Sequence, residues 1–297
     1  MPISAVGNPI EIIAPQIIAH RGARTLADYN AIAPENTLPA FDAAASLGAA
    51  IELDVIATRD GEVIVHHDDD TGRLFQLPGK PQALRHLSYT QVQQAQFTPA
   101  QHNADVQKLL DDAHKRYQLS PQFAETKIPK LSEVLTRYPN THLYIELKTD
   151  NDQVSQNDNN NLEQRVADLI TQHNALGRVT VISFSTKSLQ RIKTINPAIS
   201  TGLDINIPDY VKRIPLANKL LASYVKHVLK ADVLLPSYTG TTPKLVNAAH
   251  KRGLKITPWV NQQTRPQETP WFEKLMTMGV DGIITNAPDA LKTFLEG

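Results

Sequence analysis

Val55-Ile56-Ala57-Thr58-Arg59-Asp60-Gly61-Glu62-Val63-Ile64-Val65-His66-His67 decides how the rest of the chain is counted. Two β-branched runs flank Asp60-Gly61, a dipeptide that favours tight turns. The gap between them is far too short for a crossover between parallel strands. The stretch therefore reads as a hairpin that extends a strand over 50–55, with its second arm over 62–67. Further apolar, strand-like runs lie at 16–20, 142–148, 179–184, 199–203, 231–235, 253–260 and 280–285. With the hairpin arm set aside, eight strands remain, the barrel number.

Amphipathic segments at 38–46, 162–173, 187–195, 243–252 and 268–278 separate most of these runs, and Asn36-Thr37 is placed to cap the first. Alternation of this kind predicts a parallel sheet with crossover helices. The expected fold is an α/β (β/α)8 TIM-type barrel: one domain over 1–297, with a small inserted lobe over 69–128 after the second-strand hairpin. That segment is rich in Gln, Pro and polar residues and has one helical stretch near 104–117. It is expected to cover the barrel mouth. The run 150–161, mostly Asn, Asp and Gln, reads as a solvated loop.

Three strands carry charge where a strand buried on both faces would be apolar. They are Ile17-Ile18-Ala19-His20-Arg21-Gly22, Ile51-Glu52-Leu53-Asp54-Val55 and Tyr144-Ile145-Glu146-Leu147-Lys148. Side chains alternate along a strand, so Glu52 and Asp54 share one face, and so do Glu146 and Lys148. Side by side, these strands aim three carboxylates at one place. Such groups resist burial together unless a cation joins them, and an all-oxygen donor set suits Mg2+ or Ca2+. His20 and one of the pair His66-His67 lie at strand ends, where imidazole can move protons near neutral pH. Only one of that pair can face the site, and His67 is preferred. Arg21 and Lys148 either pair with the carboxylates or neutralise a phosphate. Trp259 either packs in the core or walls the substrate.

Taken in order, His20-Arg21-Gly22, Pro34-Glu35-Asn36-Thr37, Glu52-Leu53-Asp54-Val55, Thr58-Arg59-Asp60-Gly61, His67-Asp68, Ile128-Pro129-Lys130-Leu131, Ile145-Glu146-Leu147-Lys148, Trp259 and the stretch 281–289 resemble the glycerophosphodiester phosphodiesterase family. The resemblance implies metal-dependent hydrolysis of a glycerophosphodiester to glycerol 3-phosphate and an alcohol. It implies Glu52, Asp54 and Glu146 as ligands of one divalent cation, His20 and His67 as the acid/base pair, and Arg21 and Lys148 as phosphate-binding residues, with Trp259 beside the substrate. The alternatives are a lysophospholipase D acting on longer lipid phosphodiesters, and a non-catalytic phosphodiester-binding barrel. Two features depart from the family pattern. The gap from Gly22 to Pro34 is long, and Asp69-Asp70-Thr71-Gly72-Arg73 replaces the usual leucine-arginine-threonine order.

The 297 residues carry a formal net charge of zero, so no global field favours nucleic acid, and attraction for an anionic substrate must be local. The absence of cysteine excludes disulfides, zinc-thiolate sites and thiol nucleophiles. No run approaches the ~20 apolar residues of a membrane span. Residues 1–11 lack a basic region followed by an apolar run, so the expected location is cytoplasmic, or periplasmic if a leader has been removed. The expected partner is a small-molecule glycerophosphodiester. The oligomeric state is not legible.

Overall fold

A computed structural model describes residues 14–23, 33–97, 125–149, 161–208, 211, 214, 216–260 and 265–297. The helical stretch expected near 104–117, and all of the 150–161 run but its last residue, lie outside them. The strands are β1 (Gln16–Ala19), β2 (Ala50–Ala57), β3 (Val63–Val65), β4 (Phe75–Gln76), β5 (Gln96–Phe97), β6 (Leu143–Leu147), β7 (Val179–Ser183), β8 (Ser200–Ile205), β9 (Val233–Pro236), β10 (Lys255–Ile256), β11 (Trp259–Val260) and β12 (Gly282–Thr285). The helices are α1 (Leu38–Ser46), α2 (Tyr89–Val92), α3 (Leu131–Arg137), α4 (Leu162–Gln172), α5 (Thr186–Ile195), α6 (Ala217–Ser223), α7 (Pro243–His250), α8 (Arg265–Thr277) and α9 (Pro288–Glu296).

The main sheet runs β10-β9-β8-β7-β6-β2-β1-β12-β11, and every pair along it is parallel. β3 pairs antiparallel with β2, with Val55 opposite Val65, which makes the hairpin arm. Gly61, at φ +83°, provides the left-handed residue of that turn. The strand expected over 253–260 is divided. Thr257-Pro258 separates β10, on the β9 edge, from β11, on the β12 edge. Proline has no N–H to give to a ladder, but its carbonyl accepts from Ile284 N at 3.0 Å. The two ends of the sheet are thus halves of one bent strand, and an isolated bridge from Ser237 to Trp259 joins them again. The result is a TIM-type barrel of eight parallel positions.

The period-two pattern sorts side chains into layers. Ile51, Leu53, Val55, Ile145 and Leu147 face outward into a core shared with α1, α3 and α4. A second outer core, built on Leu203, Leu234, Ile256 and Ile283, packs under the helices of the C-terminal half. Ile18, Ala50, Tyr144, Ile182, Val233, Leu235 and Ile284 fill the barrel interior. A separate small core joins Ile56 and Ile64 of the hairpin to Leu74, Phe75, Leu84, Leu87 and Val92. The described part of the 69–128 segment is therefore anchored on the hairpin.

No helix among the described residues is long and apolar enough to cross a membrane. Thr37 is the N-cap of α1, but its side chain makes no cap bond. Its hydroxyl donates instead to Pro34 O at 2.5 Å, and Asn36 is engaged elsewhere.

Candidate active site

The interior columns of β1, β2 and β6 end at the C-terminal mouth of the barrel in polar groups. Glu52, Asp54 and Glu146 each offer an oxygen, and these atoms all lie within 4.8 Å of one another. Glu52 and Asp54 are buried, and Glu146 is 13% exposed. Glu52 Oε1 is buried with no hydrogen-bond partner. Unsatisfied carboxylate oxygen costs free energy, so a trio with an orphaned member fits a bound cation. The donors are all oxygen, which suits a hard ion such as Mg2+ or Ca2+.

Arg21 sits at φ +58°, directly before Gly22 at φ +84°. A Cβ on Gly22 would lie 2.8 Å from the Ala40 backbone carbon. Glycine lets α1 pack against this turn while Arg21 N donates to Glu52 Oε2 at 2.8 Å. The Arg21 guanidinium pairs with Glu35 at 2.8 Å and Asp54 at 3.3 Å. Lys148 lies 2.9 Å from Glu146 and 3.1 Å from Asp54. Both cations therefore stand among the carboxylates. Asn36, also left-handed at φ +57°, donates from Nδ2 to Asp54 Oδ2 at 2.8 Å and accepts from Asp54 N.

These contacts divide the trio electrostatically. Burial alone would raise Asp54, but Lys148 and Arg21 hold it well below the usual carboxylate range. Burial and the charges of Asp54 and Glu146 push Glu52 well above that range. Burial and Asp54 push Glu146 up as well, against the pull of Lys148.

The two histidines are held alike. His20 Nδ1 lies 2.7 Å from Asn286 Oδ1, and His67 Nδ1 lies 2.8 Å from Asp68 Oδ1. Both oxygens accept, so each ring donates from Nδ1 and presents Nε2. Burial opposes it, but hydrogen bonds from His67 and Arg73 hold Asp68 at about 2. Arg73 bridges Asp68 and Glu35, tying the 69–128 segment to the mouth. His66 is buried against Phe75, with ring centroids 5.9 Å apart, and burial pushes it down.

A cavity of about 160 Å3 holds His20, Arg21, Glu52, His67, Glu146 and Lys148 together, and Trp259 with Phe184 walls it. Trp259 also packs on the interior core and donates from Nε1 to Leu235 O at 3.2 Å, so it serves both purposes. Asp54 lies beneath, behind Arg21 and Lys148. A wider groove continues beyond His67, Lys148 and Phe184 toward Asp68, Asp70 and Arg73.

Sequence reasoning missed Asp204, Asn286, Glu35, Asp68 and Arg73 as site residues. Asp204 lines the same cavity, is buried, and leaves Oδ2 without a partner. Burial and the charge of Glu146 push it well above the usual range. The signal was available in its parity: in β8, Gly202 and Asp204 continue the column that Glu52 and Asp54 occupy in β2. The expected strand ended at 203, two residues before its observed end and just short of Asp204. Asn286 lies in the 281–289 stretch that carried the family resemblance, but its role was not legible there, because its partner is 266 residues away.

A parallel barrel whose mouth gathers an acidic trio, two cations and two imidazoles defines an enzyme of phosphate-ester chemistry. Residues 20–290 match the model of the Glycerophosphoryl diester phosphodiesterase family, and the chain belongs to that family. YhdW of Bacillus subtilis (strain 168) is 33% identical over 278 residues, covering 92% of this chain and 95% of its own length. The glycerophosphodiester phosphodiesterase of Caldanaerobacter subterraneus subsp. tengcongensis is 28% identical over 276 residues, covering 93% and 95%. Among solved structures, a phosphodiesterase of Oleispira antarctica in complex with the product sn-glycerol-3-phosphate superposes with a TM-score of 0.69 at 20% identity, covering 96% of this chain and 98% of that one.

Proposed function

We propose that the chain hydrolyses glycerophosphodiesters to glycerol 3-phosphate and an alcohol, with one divalent cation and two histidines. The observation that carries this is a single cavity lined by His20, His67, Glu52 and Glu146, with Asp54 beneath completing an acidic trio that has an orphaned oxygen, and with each imidazole held at Nδ1 so that it presents Nε2. Glu52, Asp54 and Glu146 would hold the cation. When bound, such an ion neutralises phosphoryl charge and lowers the pKa of a hydroxyl beside it. Arg21 and Lys148 stand at the same carboxylates, placed to bind and orient the phosphate oxygens. One Nε2 takes the proton of the neighbouring glycerol hydroxyl as it attacks phosphorus, and the other gives a proton to the departing alkoxide; water then opens the resulting cyclic phosphate with the two proton transfers reversed, which leaves glycerol 3-phosphate. Asn286 and Asp68 keep both rings turned for these transfers. Trp259 and Phe184, with ring centroids 6.2 Å apart, form an apolar wall on one side of the cavity.

Head-group choice falls to the wider groove beyond His67, to which the 69–128 segment contributes Asp70 and Arg73. A coupled assay of glycerol 3-phosphate release tests the reading, run over several head groups with and without EDTA. Release that EDTA abolishes and Mg2+ or Ca2+ restores is the expected result. Glu146→Gln should abolish it. Release that is insensitive to EDTA and survives in Glu146→Gln overturns the metal reading. Activity confined to long-chain lysophospholipids moves the assignment to lysophospholipase D, and no turnover of any phosphodiester by metal-loaded protein leaves a binding barrel.

A further inference from the structure

The helix that follows β8 carries two apolar faces. Ala222, Val225 and Leu229 are buried in the core of the C-terminal half, where α6 packs beside α7. On the outside, Leu216 is 56% exposed, Leu220 59%, Tyr224 39% and Val228 54%. A surface helix with one buried stripe is ordinarily polar on its other side. These four residues recur at every fourth position. In a pure α-helix they would drift by about 40° per step. After Ser223 the chain enters a wider π turn over Tyr224–Val228, with Leu229 N donating to Tyr224 O at 3.1 Å. The wider turn takes more residues per revolution, so it opposes the drift and keeps Val228 near the line of the others. Ile214, 48% exposed, precedes the stripe in the connection that leaves the mouth end of β8.

The described residues 216–231 carry Lys219, Lys226 and Lys230 and no Asp or Glu, and the next acid along the chain, Asp232, is paired with Lys193 at 2.9 Å. Lys219, His227 and Lys230 are exposed and Lys226 is half-buried. We infer that the outer face of the Ala217–Val228 helix is a docking surface for an anionic lipid bilayer. Its apolar stripe would enter the headgroup boundary while its lysines meet lipid phosphates. A second copy of this chain fits less well, because a two-fold contact would set lysine rim against lysine rim. Docking here brings the β8 side of the barrel mouth to the membrane surface. The inference stands apart from the catalytic reading, since no residue of the stripe belongs to the site.

Sedimentation of the full chain with vesicles tests it. The probes are phosphatidylcholine alone and phosphatidylcholine with roughly 30 mol% phosphatidylglycerol, at low salt. The protein is expected to pellet with the second and not the first, and to be released as salt is raised. Leu216→Ser/Leu220→Ser/Val228→Ser and, separately, Lys219→Glu/Lys226→Glu/Lys230→Glu should each lower the vesicle-bound fraction about tenfold or more. Turnover of a soluble glycerophosphodiester should be unchanged in both, which also reports that they fold. No pelleting with the anionic vesicles, or undiminished pelleting of either variant, overturns the inference. So does a dimer of the full chain that the serine variant dissolves, without vesicle binding.

Discussion

His20 and His67 have their Nδ1 atoms engaged by Asn286 and Asp68, so a change at either imidazole removes a positioned Nε2 and leaves the carboxylate trio in place. General acid/base catalysis is worth ~10^2–10^4 in rate. His20→Ala and His67→Ala are each expected to lower kcat by about that range in a steady-state assay, with cation affinity by titration calorimetry little changed. The double variant should be scarcely worse than the poorer single one, because the two act as a unit. His66→Ala should keep kcat and lose stability, since that ring is buried against Phe75. Asp204 makes a second residue-scale prediction. Its carboxyl is buried with Oδ2 unpartnered, and burial and the charge of Glu146 push it well above the usual range. A carboxyl whose folded pKa is raised favours the fold when protonated and costs stability as pH rises past its unfolded value near ~4. Asp204→Asn should therefore be more stable than the parent by about 1–3 kcal/mol near neutral pH. In urea melts that advantage should shrink toward zero as pH falls to ~4. An advantage that is flat with pH would show that Asp204 is not a buried, unpaired acid.

The element that sets the cation end of the site is the turn between β1 and α1. Arg21 and Asn36 both adopt left-handed backbone, and Gly22 lets the turn touch Ala40. Gly22→Ala introduces a Cβ into backbone and a strained φ together, at a cost of about 1–3 kcal/mol. Because Arg21 N holds Glu52 and His20 is the preceding residue, the shift reaches the chemistry. A misplacement of ~1 Å can cost ~10^2 in rate. The expected outcome is a folded protein by circular dichroism with a lower Tm and kcat/KM reduced on that order. The α1 cap shows the same priority of site over helix. Asn36 suits a cap by type, but its amide is committed to Asp54, and the helix begins without a side-chain cap.

At the scale of the molecule, stability and metal are linked. A cation that binds only the folded trio stabilises by RT ln(1 + [L]/Kd), about 2.7 kcal/mol at a hundredfold excess over Kd. Thermal melts should show Tm rising with Mg2+ or Ca2+ concentration, and Glu146→Gln should abolish the dependence. The gain should be larger at pH 8 than at pH 5, because Glu52 and Glu146 are both pushed up and must release protons to bind. A Tm indifferent to both cations at pH 8 would mean the trio is not a cation site. With zero net charge overall, pull on an anionic substrate must be local, and among the described residues Arg21, Lys148 and Arg73 stand at the cavity and its groove.

Local pattern determined a good deal. The hairpin at Asp60-Gly61 brought the strand count to eight, and alternation put Glu52 with Asp54 and Glu146 with Lys148, because side-chain direction in a strand depends only on parity. What the tertiary structure decided is which columns meet. Strand register and barrel closure come from hydrogen bonds between segments far apart in sequence, and those leave no local trace. Thus Asn286 joins His20 across 266 positions, and Arg73 reaches back to Glu35 across 38. Pro258 splits the seventh barrel strand yet keeps both halves paired, because its carbonyl still accepts on the β12 side while β10 alone serves β9. The division of the trio into one low and two raised carboxyls is likewise tertiary. It depends on where Arg21 and Lys148 come to rest, and identical residues on differently placed strands would titrate differently.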